Sequence, residues 1–148
     1  MRKRNTAILA FTMLFAVVVL CWNQVNLKAA AAGMTLKVKL NYTGAGPLDE
    51  KHKIHVLLFD ADPYTQETFK PTTSKTATAK DEIVTFTDLS VSPVFALAFY
   101  DKHGSNEPDP GSPAGVYGEE PGKLKPIKLE EGKTVEIVLA FDDSFTIP

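Results

Sequence analysis

The chain has 148 residues, room for one ordinary domain. Four of its 16 basic residues (Arg2, Lys3, Arg4 and Lys28) and none of its 18 acidic ones precede Gly33, so the remainder sets 12 basic groups against 18 acidic ones and holds no arginine, tryptophan or cysteine. That balance excludes a polyanion-binding surface, and the lack of cysteine excludes a disulfide framework, a thiol nucleophile and a cysteine-ligated zinc from residues 33–148.

Residues 1–32 read as a signal peptide. Arg2-Lys3-Arg4 is a basic patch, and the apolar run from Ala7 to Trp22, broken only by Thr12, is too short for a spanning helix of about 20 residues. Ala29 to Ala32 then supply the small side chains of a cleavage site. The expected location is periplasmic or secreted. The alternative is a membrane-anchored protein that keeps this segment, because Asn23 to Lys28 lengthens the stretch before the cut.

From Met34 onward the dominant period is two, the repeat of a strand with one buried face. Leu36, Val38, Leu40 and Tyr42 alternate with Lys37, Lys39 and Asn41. Ile54 to Phe59 is apolar on both parities, which predicts a strand covered on both faces. A short polar strand is expected at Lys75 to Ala79, and a β-branched and aromatic one at Ile83 to Thr87. Val94 to Tyr100 is again apolar throughout. Lys123 to Leu129 alternates weakly, and Pro126 confines it to an edge or a bulge. Glu131-Gly132 has the chemistry of a hairpin turn before the last strand, Thr134 to Phe141. All ten prolines and all nine glycines lie after Ala32, and the densest cluster makes Asp101 to Pro121 a long connection without strands. No helical period occurs, so residues 33–148 are expected to form one antiparallel β-sandwich.

A family resemblance rests on four stretches in order: Phe86-Thr87-Asp88-Leu89, Val94 to Tyr100, Asp101-Lys102-His103-Gly104, and Gly115-Val116-Tyr117-Gly118. Together they resemble the transthyretin-like, or carboxypeptidase-regulatory-like, exported bacterial domains over about residues 34–143. The resemblance implies an all-β, seven-stranded antiparallel Greek-key sandwich of the prealbumin type. It implies no chemistry, since that fold hosts structural, binding and enzymatic members. The enzyme branch, a hydrolase of 5-hydroxyisourate, needs an arginine and a Tyr-Arg-Gly-Ser-like terminus; this chain has no arginine after Arg4 and closes on Asp142 to Pro148.

No serine sits in a strand-elbow-helix beside His52, His55 or His103, so no catalytic residue is expected. His52 and His55, three apart, would point to opposite faces of a regular strand and could share a metal with Asp60 and Asp62 only if His52 lay in the preceding turn. Tyr42, Tyr64, Phe69, Tyr100 and Tyr117 could form an aromatic platform for sugars, or Tyr42 and Tyr100 could cap the sandwich ends. The loop from Asp101 to Asp109 stands where relatives of this sandwich carry Asp-x-Asn-x-Asn-Gly-x-x-Asp, an oxygen-rich cation loop. It keeps both outer acids, but His103 replaces an oxygen ligand and the glycine has moved to Gly104. Asp101, Ser105 and Asp109 are the residues that would hold Ca²⁺; the competing expectation is a solvated acidic turn without a cofactor.

These observations lead to a non-enzymatic binding or structural module of the cell envelope. Its expected partner is a protein or a glycan, with no nucleic acid and no membrane insertion after signal cleavage. The alternatives are a weak calcium module built on the Asp101–Asp109 loop and a hydrolase using the 101–121 connection.

Overall fold

The alternation that begins at Met34 folds as a nine-residue strand, β1 (Met34–Tyr42), with its apolar members buried. A computed structural model describes residues 32–120 and 122–148; apart from Ala32, the expected signal peptide lies outside them. The further strands are β2 (Ile54–Phe59), β3 (Thr73–Ala77), β4 (Ile83–Leu89), β5 (Phe95–Tyr100), β6 (Ala114–Val116), β7 (Gly118–Glu120), β8 (Lys123–Leu124) and β9 (Thr134–Phe141). The described residues contain no helix, hence none long and apolar enough to cross a membrane. One sheet has the order β4-β1-β9, a second has β3-β2-β5-β6, and β7 pairs with β8 as a separate hairpin.

The inward faces of the two larger sheets share one core. Leu36, Val38 and Leu40 of β1 and Ile137 and Leu139 of β9 pack with Ile54, Val56 and Leu58 of β2 and Ala96 and Ala98 of β5. A second apolar layer explains the strands that are apolar on both parities. Leu57, Phe59, Leu97, Phe99 and Ala114, on the outward face of the four-stranded sheet, lie under Phe145 and Ile147 of the C-terminal tail. The tail is fixed there by backbone bonds: the Ala114 N–H donates to the Phe145 carbonyl at 3.0 Å, Ile147 N–H to Ser112 at 2.9 Å, and Gly111 N–H to Ile147 at 2.8 Å.

Several expectations are corrected in detail. The described chain has nine strands, seven of them in the two larger sheets and two in the separate hairpin. β1 and β9 run parallel, from Thr35 opposite Thr134 to Tyr42 opposite Phe141, whereas the other pairings are antiparallel. Alternation reports which face a side chain uses and is silent on its neighbour's direction. The connection from Asp101 to Pro121 is not free of strands, because β6 pairs with β5 there and β7 follows. Its residues Ala114, Gly115 and Val116 are too small to read as an apolar run. Gly115 is needed for its size: a Cβ at this position would stand 2.3 Å from Cβ of Phe141. The expected strand from Lys123 to Leu129 shrinks to β8 and an isolated bridge between Ile127 and Val94, on either side of Pro126. The turn at Gly132 forms with φ 69°, but it joins strands that pair elsewhere rather than with each other.

Both layers carry stability. Ile137 lies between the sheets and Leu97 lies under the tail. Each change, Ile137→Ala and Leu97→Ala, should cost about 2–5 kcal/mol. Urea denaturation of residues 32–148, followed by far-ultraviolet circular dichroism with a β signature, measures it; two unchanged midpoints would contradict the packing described.

Candidate functional site

The stretch after β5 gathers a network of hydrogen-bonded polar groups. The Asp101 N–H donates to the Lys53 carbonyl at 2.8 Å, which holds the start of the loop against the residue just before β2. The Asp101 side chain is fully buried. Its Oδ1 accepts from the N–H groups of Gly104 at 2.7 Å and Ser105 at 3.1 Å, and its Oδ2 accepts from Asn106 at 2.8 Å. Gly104 (φ 69°) and Asn106 (φ 63°) take left-handed backbone, which lets these amides converge on one carboxylate. Burial pushes the Asp101 carboxyl up, but the three amide bonds together outweigh it and hold the group below its ordinary range.

The other two residues expected at a cation site belong to the same network. Ser105 Oγ donates to Asp109 Oδ2 and accepts from the Glu107 N–H at 3.2 Å. Asp101, Ser105 and Asp109 are thus linked through the backbone amide and hydroxyl of Ser105. Both oxygens of Asp101 face amides of its own loop. Among the described residues no three His, Cys, Asp or Glu side chains are grouped closely enough to hold a metal ion.

His55, on β2, is only 8% exposed and stacks on Phe99, with ring centroids 4.7 Å apart and planes 3° from parallel. The register of β2 on β5 sets His55 opposite Phe99, one residue beyond which comes Tyr100 and then Asp101. Its Nε2 lies 3.8 Å from Asp101 Oδ2, too far for a hydrogen bond, and has no other partner among the described residues. Burial holds the imidazole below its ordinary range, against the pull of the Asp101 carboxylate. His52 does lie in the turn before β2, yet its Nδ1 faces Asp49 at 3.1 and 3.2 Å, so the two histidines diverge.

The aromatic residues do not form one platform. Tyr42 stacks on Tyr100, at 5.2 Å, lies tilted against Phe141, at 4.8 Å, and caps one end of the core. The Tyr42 hydroxyl donates to Asp143 Oδ1 at 2.6 Å, and the Tyr100 hydroxyl to the Pro47 carbonyl at 2.8 Å. Burial, then the Asp143 carboxylate, raises the Tyr42 phenol far above its ordinary range. A cleft of about 450 Å³ opens beside these rings, but both hydroxyls are already engaged. Tyr64 and Phe69 are half exposed between β2 and β3, where Phe69 leans on Phe59. The Tyr42–Asp143 bond spans most of the chain and leaves no trace in local sequence.

Comparison with protein-family models, with curated proteins and with solved structures gives no match to this chain.

Proposed function

We propose that this chain is an exported, non-enzymatic β-sandwich of the transthyretin-like kind, acting as a binding or structural module in the periplasm or cell envelope. The observation that carries this reading is the use made of the polar loop: the buried Asp101 carboxylate is taken up by three amides of its own segment. A loop organised in this way presents a fixed surface and leaves its carboxylate unavailable as a base or nucleophile. The architecture lends support, since seven of the strands form two sheets of three and four around one core, with β7 and β8 set apart. Residues 32–148 used as bait in an envelope extract should retain a discrete protein or glycan that the Asp101→Ala variant loses. Equal recovery by both forms would contradict a role for the loop surface.

The hydrolase reading has one observation in its favour, the buried approach of His55 to Asp101. The 3.8 Å gap and the lack of any hydrogen bond to Nε2 set this pair apart from a working base and its orienting acid. Hydrolysis of p-nitrophenyl acetate should be the same for wild type and His55→Phe; a loss of rate in the variant would favour the hydrolase. The calcium reading is tested in the same preparation. A site with a dissociation constant of about 0.1 mM would add about 2.7 kcal/mol of stability in 10 mM Ca²⁺. We expect equal melting temperatures in Ca²⁺ and in EDTA, because binding would have to displace amides that already satisfy Asp101.

A further inference from the structure

β3 and β4 are edge strands of the two larger sheets, close to each other on one side of the sandwich but not paired. Near the middle of β4 the gap between them is barred by Lys75. Its Nζ donates to the Thr85 carbonyl at 2.6 Å and lies 5.7 Å from the centre of the Phe86 ring. Past this bar, toward the end of β4, the sheets part around a cleft of about 280 Å³. Leu58, Phe86 and Val94 line it and are no more than 5% exposed, so the cleft reaches the apolar interior. It lies at the far end of β2 from Asp101, which is bound to Lys53 before that strand begins.

A bulge in β4 borders the opening. Met34 pairs with Leu89 and Leu36 with Phe86, which sets Thr87 and Asp88 against Thr35 alone. Asp88 takes left-handed backbone (φ 56°), and Gly33 makes room for it, since a Cβ there would stand 2.6 Å from the Asp88 Cα. Bulges bend a strand and re-aim its side chains, and this one falls on the rim of the cleft. The rim carries three charged side chains, Asp60, Asp88 and Lys75. The Lys75 ammonium is engaged by Thr85, whereas neither carboxylate has an ion-pair partner among the described residues. An apolar floor beneath two unpaired carboxylates complements an apolar body that bears a positive charge. We propose that this cleft binds a small organic amine, its ring or alkyl chain on Leu58, Phe86 and Val94 and its ammonium at the rim with Asp60 and Asp88. The volume admits one ring or a short chain rather than a polymer. A neutral molecule of the same shape leaves both carboxylates unpaired, and an organic anion meets their repulsion.

Residues 32–148 contain both core layers, so this fragment serves for the test, with 2-phenylethylamine as the probe. Its binding, followed by amide resonances, should saturate with a dissociation constant on the order of 1 mM, as suits a ligand of so few atoms. The resonances of Thr73, Asp88 and Val91, which line the cleft, should move, and those of Gly104 to Asn106 should not. 2-Phenylethanol, with the same ring and no charge, should bind about tenfold more weakly. Asp60→Asn and Asp88→Asn should each weaken the amine about threefold and leave the alcohol unchanged. Both positions are exposed, and Asn tolerates the left-handed backbone at 88, so these variants keep the fold. Thr73 pairs with Leu58 and shares the inward parity of the buried Ala77, so Thr73→Phe fills the cleft. It should abolish binding of both probes while circular dichroism stays that of the folded chain. No saturable binding of the amine would overturn the proposal. So would equal affinity for amine and alcohol, or an amine affinity that neither aspartate variant changes. Undiminished binding by folded Thr73→Phe would do the same; if that variant does not fold, the two aspartate variants decide.

Discussion

Asp101→Ala should lower the unfolding free energy by about 3–5 kcal/mol, the scale of losing one partner from a buried charged network. The change leaves the amides of Gly104, Ser105 and Asn106 without their acceptor, over a side chain that is itself fully buried. Asp101→Asn keeps one carbonyl oxygen and should cost less, about 1–3 kcal/mol. Urea denaturation at neutral pH separates the two, and equal midpoints for wild type and Asp101→Ala would contradict the account of the loop. The same group makes stability depend on pH. Its folded value lies below the ordinary 3.8, so its contribution is complete above that value and is lost as pH falls through the folded one. His55 acts earlier in an acid titration and in the same direction. The unfolded chain takes up a proton near pH 6.5 that the buried imidazole refuses, so stability falls as pH drops below 6.5 toward the lower folded value. His55→Phe should keep the stacking on Phe99 and flatten the first part of that decline. An equally steep decline in His55→Phe would assign the effect to another group.

Ending the chain at Asp143 should be the second large effect, about 3 kcal/mol or more. The deletion strips Phe145 and Ile147 from Leu57, Phe59, Leu97 and Phe99 and removes the backbone bonds that tie the tail to Gly111, Ser112 and Ala114. Each partly buried large side chain contributes on the order of 1–2 kcal/mol, and each backbone bond adds about 1 kcal/mol or less. The exposed layer should also bind a hydrophobic dye and promote association. A truncated chain with the wild-type midpoint and no dye binding would mean that the tail rests on the sheet without stabilising it. Deletion only of Pro148, which lies outside the apolar layer, should leave the midpoint unchanged.

Much of the fold was legible because burial imposes a period. The five longest strands coincide closely with runs whose alternation or double-sided apolarity shows in the sequence, from Leu36-Val38-Leu40 to Ile137-Leu139-Phe141. β6 was missed because its residues are small, and Gly115 is small for a reason found far away, in the Cβ of Phe141. The candidate loop was legible as a place, while the partners of its carboxylate were not. Asp101, Ser105 and Asp109 are at the expected positions, but oxygens that could face a cation face amides instead.

What the sequence determined by itself is the pattern of faces: which residues of the longer strands turn inward, and that the described residues from Ala32 onward form no helix. Those properties follow from side-chain alternation and from glycine and proline chemistry within a few residues. The tertiary structure alone decided the parallel pairing of β1 with β9, the approach of His55 to Asp101, the Tyr42–Asp143 bond and the tail's place over Leu97 and Phe99. Each of these joins residues separated by tens of positions. Such contacts form only once the sheets have stacked, and no local period encodes them.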